Sequence, residues 1–108
     1  MKLVNNAFSS KIVKQDGLAA VHHIITEDEF MTETHKSDVV SCIGHEDTAK
    51  LFNLEFNRQS IELHEGDILF VCELNNPNGT RLPAGITEIS QLPDGFHFRF
   101  LKLECVKL

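Results

Sequence analysis

Ser41-Cys42-Ile43-Gly44-His45-Glu46-Asp47-Thr48-Ala49 leads the chain into an apolar helical pattern. Ala49, Phe52 and Phe56 recur at helical spacing and Leu51 widens the stripe, so a helix is expected from His45 or Glu46 to about Phe56. Glu46 and Asp47 suit the positive end of its dipole. The stretch also sets a histidine at the helix start, beside a glycine and a hydroxyl residue. Free N–H groups and partial positive charge at such a start form a natural seat for phosphate. A histidine there can do acid–base chemistry on what sits down.

Upstream, Thr26-Glu27-Asp28-Glu29 reads as a capping box, with Ile25 and Phe30 at the positions of a hydrophobic staple. A short helix over about Glu27 to Glu33 follows. Before it, Lys2 to Phe8 and Leu18 to Ile25 read as strands around a polar turn, Lys14-Gln15-Asp16-Gly17. Downstream come Ser60-Ile61-Glu62-Leu63, the turn His64-Glu65-Gly66-Asp67, and a strand from Ile68 to Leu74. Asn75-Asn76-Pro77-Asn78-Gly79 is dense in turn formers. Phe96 to Val106 alternates as a last strand, with an apolar phase that shifts between Phe100 and Leu101, as at a bulge or a face change. Strands and helices mix without regular βαβ alternation. The expected fold is α+β: a single mixed sheet of about five strands, helices packed on one face, and one domain over residues 1–108.

Composition narrows the function classes. Sixteen acidic residues against ten basic give a net charge of −6. Duplex nucleic acid is held by clustered Lys and Arg, so DNA binding is disfavoured. A compact phosphate site needs only two or three arginines, and a symmetric dimer doubles them. The first residues turn polar too early for a signal peptide, and no apolar run approaches a membrane span. A cytoplasmic protein without membrane contact is expected. The three cysteines, Cys42, Cys72 and Cys105, are odd in number and widely spaced, which favours buried reduced thiols over a disulfide framework. Cys42-x-x-His45 has the spacing of half a zinc site, but no second half matches it.

His45 is the foremost candidate for chemistry, against the plainer reading of a capping or structural histidine. Arg58, past the His45 helix, and Arg81, after the glycine-bearing loop, are the candidate phosphate ligands; ordinary surface charge is the alternative for each. Asn5-Asn6-Ala7-Phe8-Ser9-Ser10 offers amides and hydroxyls to a base edge or phosphate, although a strand exit looks the same. His22 and His23, adjacent on a strand, point to opposite faces. His35, His64 and His97 are expected in solvent. No Ser–His–acid order, P-loop or dinucleotide fingerprint is present.

Three blocks together resemble the viral ring nuclease family: Asn6-Ala7-Phe8-Ser9, Ser41-x-Ile43-Gly44-His45-x-x-Thr48, and Arg81-Leu82-x-x-Gly85. These are small proteins, first seen in archaeal viruses and also found on bacterial mobile elements, that act against type III CRISPR defence. The resemblance covers roughly residues 3 to 85. It implies a homodimer that encloses cyclic tetra-adenylate and cuts it to linear di-adenylates without metal or other cofactor. His45 falls at the catalytic position. Asn6, Ser9, Gly44, Thr48, Arg58 and Arg81 fall at ligand-contacting positions. One position departs from the pattern: active relatives can carry a glutamate immediately before the glycine of the arginine block, and here that residue is Ala84. Glu73 and Glu88 are near in sequence. The rival readings are a non-catalytic binder of the ring, a nucleic-acid-binding or regulatory protein of a mobile element, and a dimeric protein-interaction module.

Overall fold

The computed structural model describes residues 1–76 and 81–108. Its strands are β1 (Lys2–Asn5), β2 (Leu18–Ile25), β3 (Val39–Ser41), β4 (Ile68–Asn75) and β5 (His97–Lys107), and its α-helices are α1 (Glu27–Thr34) and α2 (Glu46–Leu51). The strands form one five-stranded mixed sheet in the order β2-β5-β4-β1-β3. β1 runs parallel to both of its neighbours, β3 and β4, while β5 is antiparallel to β4 and β2. The α+β fold expected from the pattern is thus the observed one.

β1 ends sooner than expected. Asn5 turns its side-chain oxygen onto the Asn6 N–H at 2.8 Å, a local bond that competes with the strand ladder. β3 has no signal in the sequence, because three residues are too few to display an alternation. Its place comes from pairing, Lys2 with Val39 through Val4 with Ser41. β5 carries no bulge: its register against both β2 and β4 is unbroken. The phase shift is a change of face. Phe98 and Phe100 pack beneath the helices, whereas Leu101, Leu103 and Cys105 belong to the core on the opposite side.

Both faces of the sheet are covered. Phe30 of α1, Ala49 and Phe52 next to Val4, Phe70 and Phe100 fill one side. The rings of Phe30, Phe52, Phe98 and Phe100 meet at centroid distances between 4.9 and 6.3 Å. Phe8, Ile12, Val13 and Ile61, in irregular chain and a 3₁₀ turn at Ser10–Ile12, close the other over Leu3, Leu69 and Leu103. Among the described residues, α-helices lie only on the first side.

The start of α1 follows its sequence signal. The Thr26 hydroxyl oxygen accepts the Glu29 N–H at 3.1 Å, and Ile25 packs on the cluster that holds Phe30. α2 stops at Leu51 rather than near Phe56, because Asn53 takes the left-handed conformation with φ 53°. The Leu54 N–H then reaches the Ala49 carbonyl at 2.8 Å and the Asn53 N–H reaches Lys50 at 3.1 Å. These are the two bonds of a Schellman end. His35 is exposed, as expected, and it also ties the two helix ends together: its ring bridges the Met31 carbonyl at 2.7 Å and the Asn53 carbonyl at 3.0 Å. Asn75 belongs to β4, and the Pro77-Asn78-Gly79 part of the turn-rich stretch lies outside the described residues.

Candidate functional site

A cavity of about 380 Å³ opens where β1 ends and β4 continues, beside the start of α2. This is the carboxyl end of parallel strands, where connections diverge and leave room for a ligand. Asn6, His45, Thr48, Arg58 and Arg81 all line it. These residues come from four separate parts of the chain.

The turn before α2 is held by groups far away in sequence. The Gly44 N–H donates to Asn6 Oδ1 at 3.4 Å, while the Gly44 carbonyl accepts from Arg58 Nε at 3.2 Å and Nη2 at 3.1 Å. The segment after α2 lies alongside this turn. Ser41 Oγ donates to the Glu55 carbonyl at 2.6 Å, Asn57 Nδ2 donates to the Ser41 carbonyl at 3.0 Å, and the Asn57 N–H reaches Ile43 at 2.9 Å. Ser41 and Asn57 are therefore scaffold for the site; Asn57 gave no sequence signal, because its partner lies 16 residues away.

His45 is exposed and occupies the N-cap of α2 with extended backbone and no capping bond from its side chain. Thr48, one turn on, is buried. With six residues, α2 is too short for the helix start to supply a phosphate seat alone. The positive charge that borders the cavity is instead that of Arg81 and of Arg58, whose Nε and Nη2 are taken up by the Gly44 carbonyl.

The cavity has an apolar wall of Leu74, Leu82 and Phe98, which sequence reasoning did not single out. The alternation of β4 and β5 shows Leu74 and Phe98 as cross-strand partners, a signal available only once the strands are paired. Glu46, Asp47 and Glu73 also line it. Glu46 is paired with Lys50 at 3.1 Å. Cys72 lies in the wall as well, and burial pushes its thiol up to about 12, so it stays protonated and unreactive at neutral pH.

Some expected site residues stand elsewhere. Ser9 does not line the cavity; its hydroxyl oxygen caps the 3₁₀ turn by accepting the Lys11 N–H at 3.3 Å. Gly44 is one peptide from the wall and is held by its own backbone bonds. Glu88 caps a 3₁₀ turn at Ile89–Gln91, so of the two glutamates near Ala84 only Glu73 borders the cavity. Cys42 is buried in the core, with its sulfur accepting from Gln59 Nε2 at 3.3 Å, whereas His45 is exposed. All three cysteines are buried and free. Among the described residues, no three His, Cys, Asp or Glu side chains gather as a metal site. No helix among them is long and apolar enough to cross a membrane.

A family model described as STIV B116-like matches residues 2–93, and the chain belongs to that family. Among solved structures it is similar to B116 of Sulfolobus turreted icosahedral virus, with 20% identity, a TM-score of 0.77, and coverage of 95% of this chain and 97% of that one. At that identity the likeness establishes a shared fold. No curated protein matches the chain.

Proposed function

We propose that the protein is a metal-independent ring nuclease that cleaves cyclic tetra-adenylate. The observation that carries this reading is the convergence of Asn6, His45, Thr48, Arg58 and Arg81 on one cavity. Those residues stand in four separate parts of the chain, far apart in sequence. In this reaction a ribose 2′-oxygen attacks the adjacent phosphorus in line, forming an O2′–P bond as the P–O5′ bond breaks. The 2′-hydroxyl proton passes to solvent, and His45 donates a proton to the departing 5′-oxygen. Two such cuts yield two linear di-adenylates, each with a 2′,3′-cyclic phosphate end. Arg81 and the polar wall hold the phosphates, and the apolar wall receives a base.

A homodimer belongs to the same proposal. One cavity of about 380 Å³ lies near the small end of ligand pockets, roughly 300–1,000 Å³, and a ring of four nucleotides needs more than one such site. The two-fold symmetry available to a ring of identical nucleotides matches a two-fold pair of chains.

A second reading, a binder that sequesters the ring without cutting it, is favoured by Ala84 and by the use of Glu88 as a cap. One experiment separates the two. Purified protein and His45→Ala are incubated with cyclic tetra-adenylate in excess EDTA, and products and binding are followed together. Conversion to di-adenylate by the unmutated protein alone supports the nuclease. Tight binding without products supports the sequestering protein, and neither binding nor cleavage overturns both.

A further inference from the structure

We infer that Arg58 is a positioning residue, which fixes the Gly44–His45 peptide and through it the placement of His45, rather than a phosphate ligand in the first instance. This rests on the proposed cleavage reaction for its kinetic consequence, but its structural content stands alone. Two of the guanidinium donors, Nε and Nη2, converge on a single acceptor, the Gly44 carbonyl, at 3.2 and 3.1 Å. The guanidinium also lies over the Phe56 ring, 5.7 Å from its centroid, which restrains the side chain from a second direction. At the other end of the same residue the Gly44 N–H is held by Asn6 Oδ1 at 3.4 Å. Gly44 is thus gripped at both of its backbone polar groups.

The consequence reaches His45 through covalent geometry. A trans peptide is planar, so the carbonyl of Gly44 and the N–H of His45 point in opposite directions. Fixing that carbonyl fixes the plane from which the His45 Cα and its imidazole depart. The His45 side chain receives no capping bond at the start of α2, so this grip on the preceding peptide is its restraint from that side. A misplacement of about 1 Å at an acid can cost about a hundredfold in rate. Glycine at position 44 is not demanded by backbone strain, since no positive φ occurs there and a Cβ would meet Arg58 Cγ at an ordinary 3.7 Å. Arginine, by contrast, is demanded by the fork: a lysine presents one ammonium and cannot reproduce two donors and a planar face over Phe56.

The test compares Arg58→Lys with Arg81→Lys in the full-length chain. Each is followed by the amide resonances of Gly44 and His45 without ligand, and by kcat and KM on cyclic tetra-adenylate. Positioning predicts that Arg58→Lys shifts both amides, lowers kcat by about ten- to a hundredfold and leaves KM within about threefold. Arg81→Lys leaves the two amides in place. Unmoved Gly44 and His45 amides in Arg58→Lys overturn the inference, as does a rise in KM with kcat unchanged. If the unmutated protein neither binds nor cuts the ring, the cleavage reading falls, and the amide comparison still decides the role of Arg58.

Discussion

The backbone at His45 is extended, with φ −120° and ψ 116°, and the imidazole contributes no capping bond to α2. A histidine exposed at a cavity and unused by the helix it precedes is free to serve a ligand. His45→Ala is accordingly expected to change unfolding free energy by no more than about 0.5 kcal/mol, the range of surface substitutions. The same variant should lose at least about a hundredfold in ring cleavage, as removal of a general acid does. Chemical denaturation and product analysis on one preparation check both; a large stability loss would return His45 to a purely structural role. At Cys72 the expectation concerns pH. An unfolded thiol gives up its proton near the ordinary 9.0, but burial holds the folded one to about 12. The protonated thiol therefore favours the fold at lower pH, and that contribution declines as pH rises from about 9 to about 12. Denaturation midpoints across that window should fall more steeply for the natural chain than for Cys72→Ala.

At the scale of the element, the two helices differ in how much of their extent the sequence displayed. α1 begins at a residue whose capping role is chemical and local: Thr26 satisfies an N–H that has no partner within the helix. Thr26→Ala should cost about 1 kcal/mol in a urea titration. α2 stops at Leu51, ahead of Asn53, although the apolar spacing runs on to Phe56. Asparagine tolerates the left-handed backbone that closes the helix, and Leu54 then packs on the cluster containing Ala49. Asn53→Val is expected to cost about 1–2 kcal/mol because a β-branched side chain is strained there, while Asn53→Gly should be neutral or slightly stabilising. Phe56 is thereby released from α2 to lie beside Ile43 and beneath Arg58. The early stop is what allows residues 55–58 to return alongside the His45 turn.

At the scale of the whole molecule, β1 between two parallel neighbours sets the place of the cavity, since its end leaves β4 running on beside an open notch. A ring shared between two such cavities predicts a dimer in solution. Sedimentation should give about twice the 12.2 kDa of the chain, and calorimetry should give one ring per two chains. A monomer that takes up one ring for each chain would overturn the shared site.

What the sequence determined by itself was whatever depends on neighbours along the chain. The α+β character, the full extent of β2, the start of α1, the reduced state of the cysteines and the candidacy of His45 all rest on periodicity, caps and composition. The tertiary structure decided what depends on distance between segments. It paired a three-residue strand with β1, covered β5 on both faces, set Arg58 on the Gly44 carbonyl, and put Leu74 and Phe98 into the cavity wall. Ser9 and Glu88, plausible by position, became caps instead. The physical reason is that a hydrogen-bond donor or an apolar ring does not name its partner; only the packing of the sheet brings the two together.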